Sequence, residues 1–298
     1  MLKDALDRLY TAFDHPESAL DPVQIVRRYP RVDDREIVAF IAAGLAFGRV
    51  ASVMASVEAV CAVLGDRPAA FVRSFDPGRD ARSFDHIVHR WIRGRDLAAL
   101  CWILRRLVEE HGSLENAIAS GLTDADAHVG PALEQLAAAA RAIDLTPVYG
   151  RPVPASPGVH YFFARPSSGG ACKRLNLFLR WMVRTDGVDP GGWTKIAASK
   201  LIVPLDTHII RVGQCLRLTR RRWPGWAMAA EITAGLRALD AADPVRYDFS
   251  LCHLSMMGAC GWSDPHGNSR CPLREVCRPR RRRTTSTSTR PARTRNRL

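Results

Sequence analysis

No run in this chain is both long and apolar enough to cross a bilayer. The longest strongly apolar stretch, residues 37–47, is about eleven residues where a helical span needs roughly 20, and it reads as a buried core helix. An apolar h-region is missing from the opening MLKDALDRLYTAF, an amphipathic run of mixed charge. No secretory signal is therefore expected, and the expected location is cytoplasmic and nucleoid-associated. Convincing period-two alternation is absent from the first 277 residues, which leaves an all-α fold. Acid is absent from residues 278–298, which hold nine arginines, so only about +4 of the formal +13 belongs to the rest of the chain. This tail, with TTSTST at its centre, reads as disordered and suited to holding DNA, RNA or another acidic surface without specificity.

What is present is helical spacing. The pattern predicts helices over 2–14, 22–29, 33–48, 51–64, 82–92, 95–111, 113–120, 130–143, 226–239 and 244–258, within one all-helical unit spanning 1–277. Gly48 and Arg49, at the end of the most apolar helix, make either a C-cap with a solvated arginine or a place where a ligand approaches. His86, His89 and His111 read as structural or surface histidines. Residues 145–170 bring prolines, glycines and serines into a long loop. Its His160, Tyr161, Phe162 and Phe163 either pack down on the core or stack on a base.

The chemistry concentrates in 167–218. SSGG leads into an amphipathic helix whose opening turn holds Lys173 and Arg174. There the helix dipole and Arg174 both disfavour a second cation, and a neutral amine is a nucleophile. Leu175, Phe178, Leu179 and Met182 anchor that helix at helical spacing. Pro204 then ends an extended approach, and Asp206 stands at the N-cap of THIIRVGQCL. One carboxylate oxygen caps the helix, and the other is left to stabilise a developing cation or take a proton. If they form one site, Lys173 and Asp206 should face one cleft within about 10 Å. His208 is assigned to packing or a supporting hydrogen bond, and Arg211 faces outward. Gly169, Gly170, Arg174, Arg211, Arg220, Arg221 and Arg222 are the candidate phosphate contacts, though a charged solvated turn explains the arginine cluster nearly as well.

PLDTHIIRVGQCLRL, the arginine cluster and the late CPLREVC resemble the C-terminal part of endonuclease III, a helix-hairpin-helix DNA glycosylase. In that superfamily the aspartate sits in a similar V-D-T-H-x-x-R-V context, matching Asp206, Thr207, His208, Arg211 and Val212. The L-P-G-V-G hairpin is replaced by SSGGACKR. The interval of 33 positions from Lys173 to Asp206 is closer to that of the archaeal 8-oxoguanine glycosylases. GGACKRLNLFLRWMVR and PLDTHIIRV also resemble an uncharacterised bacterial family, domain of unknown function 2400.

The glycosylase resemblance implies a two-lobed fold with a cleft, one lobe from 31–200 and the other from 1–30 with 201–277. It further implies base excision, with Lys173 as nucleophile and Asp206 assisting, on double-stranded DNA carrying a damaged base or abasic site, by a monomer. A non-catalytic DNA-binding or damage-sensing protein on the same fold is the alternative. The resemblance also implies a structural 4Fe-4S iron–sulfur cluster on Cys260, Cys271 and Cys277 with Cys252 or His266 as fourth ligand; zinc or no metal are the alternatives. Cys61, Cys101, Cys172 and Cys215 read as buried small residues, with Cys172 of interest for its place beside Lys173.

Overall fold

The computed structural model describes residues 1–15, 17, 20–256 and 271–277. Cys260 and the basic tail 278–298 lie outside these residues. The described chain is mostly helical, and none of its helices is long and apolar enough to cross a membrane.

The core is built around α3 (Val32–Leu45), which follows α1 (Leu2–Phe13) and the short α2 (Val23–Val26). Asp33 and Asp34 in its first turn complement the helix dipole, and from Glu36 to Leu45 every residue is buried. A helix buried all round must be covered on every side. The cover comes from α2, α4 (Val50–Leu64), α5 (Pro68–Ser74) and α11 (Lys173–Val183). Phe40 of α3 meets Phe178 of α11 edge-on, with ring centroids 5.1 Å apart. Two buried carboxylates on α3 tie in distant chain: Asp34 accepts from Ala69 N at the start of α5, and Glu36 accepts from Leu114 N and Trp193 Nε1.

After α6 (Pro77–Asp80) the helix expected over 82–92 is replaced by a single 3₁₀ turn (Ala81–Phe84) and a hairpin. Its strands β1 (Val88–His89) and β2 (Ile92–Arg93) are antiparallel, and Arg90 at the turn has φ 56°. Two-residue strands are too short to show alternation. Ile87 and Trp91, like Val88 and Ile92, stand four apart and imitate a helical stripe. Next come α7 (Gly94–His111), α8 (Leu114–Ala119) and α9 (Gly130–Ala142). The long loop then holds α10 (Thr146–Tyr149) and two 3₁₀ turns, with Phe162 and Phe163 buried.

The C-terminal part brings α12 (Thr207–Cys215), α13 (Trp226–Arg237) and α14 (Asp248–Met256), with α14 packed on both α12 and α1. Beneath α11 lies a buried ionic network. Arg180 pairs with Asp248 at 2.5 Å and with Asp189 at 3.1 Å, while Arg184 pairs with Asp189, Asp186 and Asp243. Both guanidiniums lose hydration on burial, yet their carboxylate neighbours hold them more firmly protonated than usual. Removing one member of such a network typically costs about 3–5 kcal/mol, because the charges left behind stay buried. The network therefore fixes α11 against α14.

Candidate active site

Lys173 is the first residue of α11. Cys172 precedes it in the left-handed region at φ 48°, so the chain turns sharply into the helix. Asp206 caps α12, its Oδ1 accepting from His208 N at 2.9 Å and Ile209 N at 2.8 Å. The buried segment 201–205 delivers it there, with Val203 N held by Thr233 Oγ1. That arrangement leaves Asp206 Oδ2 turned away from its own helix. Lys173 Nζ lies 4.0 Å from this oxygen and 3.5 Å from the carbonyl of Ala46, where it donates.

The two side chains line a single cavity of about 400 Å³, within the range of small-ligand sites. Its walls come from the end of α3 and the turn after it (Ala46, Phe47, Gly48), from α11 (Lys173, Leu177, Arg180), from Pro204 to His208, and from α14 (Asp248, Phe249, Cys252, His253, Met256). Gly48, φ 103°, thus stands at the cavity while Arg49 is exposed. His208 also lines it, with Nδ1 3.0 Å from Ser255 Oγ. A larger hollow of about 580 Å³ around Trp102, Arg106, Glu109 and Pro147 holds Arg106 already paired with Glu109 at 2.6 Å. No lysine, cysteine or histidine lines it, and it carries no comparable chemistry.

Cys252, expected from the sequence as a fourth metal ligand, lines the cavity. Its Sγ donates to Asp206 Oδ2 at 3.3 Å, and burial followed by the charges of Asp206 and Asp248 pushes the thiol well up. That hydrogen bond holds Cys252 at the cavity wall. Among the described residues no group of three or more His, Cys, Asp or Glu is placed to hold a metal ion. Cys271 and Cys277 bracket a turn anchored by buried Leu273, and Cys260 lies outside the described residues. Cys172 is buried, and desolvation pushes its thiol up to about 12, which makes it inert beside Lys173.

Asp248 occupies the cavity floor. Desolvation first, and the charge of Asp206 after it, push its carboxyl up to about 6 against the pull of Arg180. His253 points Nδ1 at the Phe249 carbonyl, 2.9 Å away, and burial holds its ring below the usual range. Sequence reasoning missed Asp248 and His253, and gave Cys252 only as a metal ligand, since nothing local marks a helix some 40 residues later as the opposite wall.

The candidate phosphate contacts divide. Gly169, Gly170, Arg211, Arg220, Arg221 and Arg222 are exposed. Trp226 N donates to Gly169 O at 3.1 Å, which brings the glycine turn against the segment following the arginines. Glu231 steadies that segment through Arg220 N and an ion pair to Arg221 at 3.0 Å. Arg174 is half-buried. Its guanidinium lies 3.2 Å from the centroid of the Tyr161 ring and donates to Tyr161 O at 2.5 Å, and desolvation pushes it down to about 9. It supports the aromatic loop.

A family model described as a protein of unknown function (DUF2400) matches residues 21–257. The chain belongs to that family. No curated protein and no solved structure matches it. All the cavity-lining residues lie within the DUF2400 match, whereas Cys260, Cys271, Cys277 and the basic tail fall beyond it.

Proposed function

We propose that this DUF2400 protein is a DNA-repair enzyme, a DNA glycosylase with abasic-site lyase activity. The observation that carries the reading is the 4.0 Å approach of Lys173 Nζ to Asp206 Oδ2 in a ligand-sized cavity. A damaged nucleotide rotated out of a duplex enters the cavity. Lys173 gives up a proton and its lone pair bonds the anomeric carbon of the sugar. The electron pair of the glycosidic bond leaves with the base, which takes up a proton, and Asp206 Oδ2 relays that proton and faces the positive charge developing on the sugar. The amine lone pair then forms C=N as the C1′–O4′ bond breaks and O4′ takes a proton, and from this Schiff base loss of the C2′ proton to Asp206 or water forms a C2′=C3′ bond as the 3′ phosphate leaves.

The two-lobed organisation belongs to the same proposal. Its support is the return of α1 onto α14, while the central chain packs around α3. The exposed arginines 220–222 and the 169–170 turn supply the phosphate contacts. A structural iron–sulfur cluster or zinc on Cys260, Cys271 and Cys277, with Cys252 or His266 as fourth ligand, is the remaining part, and iron and zinc analysis of anaerobically purified protein tests it. One observation favours the second reading, DNA or damage binding without turnover: both close partners of Lys173 Nζ are oxygens, contacts that suit an ammonium and not a nucleophile.

Borohydride trapping on duplexes with oxidised, alkylated, deaminated or abasic sites separates these readings. The enzyme forms a covalent adduct that Lys173→Gln abolishes and Asp206→Asn slows. Tight binding with no adduct on any substrate selects the binding protein, and absence of both defeats the two readings together.

A further inference from the structure

Among the described residues, one large aromatic face beside the cavity has no role in the chemistry above. Trp91, at the turn of the β1–β2 hairpin, is 52% exposed, an unusual state for an indole that two other rings hold in place. Phe47 stacks on one face of it, with centroids 4.7 Å apart and planes at 25°, and Tyr161 meets it edge-on at 5.2 Å. Phe47 is itself pinned. His89 Nε2 lies 3.0 Å from the Phe47 carbonyl, which can only accept, so Nε2 carries the proton and Nδ1 accepts from Ser56 Oγ at 2.8 Å. Arg174 backs Tyr161 from beneath.

The cluster is continuous with the cavity, because Phe47 and Gly48 form its rim and Arg90 Nη1 lies 3.1 Å from where a Cβ on Gly48 would stand. Cations predominate around it, between Asp85 and Asp96. Residues 86–95, HIVHRWIRGR, carry three arginines and no acid, and Arg90 and Arg93 are both exposed. A preorganised aromatic ring with one covered face, set among cations, fits a flat, electron-rich ring attached to a phosphate backbone.

We infer that Trp91 is a stacking platform for a nucleobase that neighbours the nucleotide drawn into the Lys173 cavity. This rests on the proposed DNA substrate and adds a second binding point to it. The test uses the full chain and a duplex with one tetrahydrofuran abasic analogue, with affinity read by fluorescence anisotropy at fixed salt. Trp91→Ala weakens binding roughly 5- to 150-fold, the range expected for one stacked base, and Trp91→Phe restores most of it. A scan then replaces each base within two positions of the analogue, on both strands, by a second abasic analogue. At one of those positions the loss caused by Trp91→Ala disappears, because the base that it stacks on is gone. Melting curves of both variants control for folding. Trp91→Ala binding within twofold of wild type, or losses that add at every scanned position, overturn the platform while leaving the DNA reading standing. Failure of the wild-type chain to bind the duplex at all overturns both.

Discussion

Asp206 is assigned two tasks at once, and a substitution series separates them. As an N-cap it satisfies the backbone amides of His208 and Ile209 at 2.9 and 2.8 Å. Losing a cap of this kind costs about 1 kcal/mol, and losing a negative charge at a helix N-terminus adds about 0.3–1 kcal/mol. Asp206→Ala removes both and leaves the Cys252 thiol without its acceptor, for a total of about 1–2 kcal/mol. For a chain of this size each kcal/mol lowers Tm by about 2–4 °C, so Asp206→Ala melts roughly 2–8 °C below wild type in differential scanning calorimetry. Asp206→Asn keeps an oxygen for the same two amides and loses only the charge, about 0.3–1 kcal/mol. In borohydride trapping the order changes: both variants lack the carboxylate oxygen that faces Lys173, and both fall together. Stability therefore ranks wild type, Asn, Ala, while adduct formation ranks wild type far above an equal Asn and Ala. Asp206→Ala within 1 °C of wild type refutes the cap, and Asn as unstable as Ala refutes the division of labour between the two oxygens.

Glu36 predicts a pH dependence. Burial pushes its carboxyl up to about 7 from the usual 4.5, so its contribution is full below about pH 4.5 and is lost as pH rises through about 7. Measured by urea unfolding, wild-type stability relative to Glu36→Gln should fall by up to ~3 kcal/mol across that window, and parallel profiles would refute the burial argument. The arginines predict a contrast in salt titrations of DNA binding. Arg220→Ala and Arg222→Ala should each lower the slope of log K against log salt by about 0.9, while Arg174→Lys leaves the slope unchanged and lowers Tm, because Arg174 is stacked on Tyr161.

What the sequence made legible was local. Asp206 as a cap and Lys173 at a helix start follow from PLDTH and GGACKR, because a turn followed by an amphipathic run constrains only the next few residues. The hairpin was misread because Ile87/Trp91 and Val88/Ile92 stand at helical spacing. The left-handed Arg90 that breaks the run carries no local signal, since arginine seldom adopts φ 56°. The direction of Arg174 was equally hidden, because whether an arginine meets solvent or an aromatic ring depends on Tyr161, thirteen positions earlier across a loop.

The same distinction explains the 4.0 Å separation in the site. Each helix start fixes one side chain on its own helix, but neither fixes the distance between the helices. That distance depends on α11 being held to α14 through Arg180 and Asp248, and on α14 meeting Asp206 through Cys252. Arg180 and Asp248 are buried and all four contacting groups line the cavity, so the desolvation that makes the network costly also makes it directional. A buried ion pair is poor evidence for net stability, yet it resists sliding, because a small displacement leaves a charge unpaired in low dielectric. The network beneath the cavity is thus what converts two separately legible helix starts into one site.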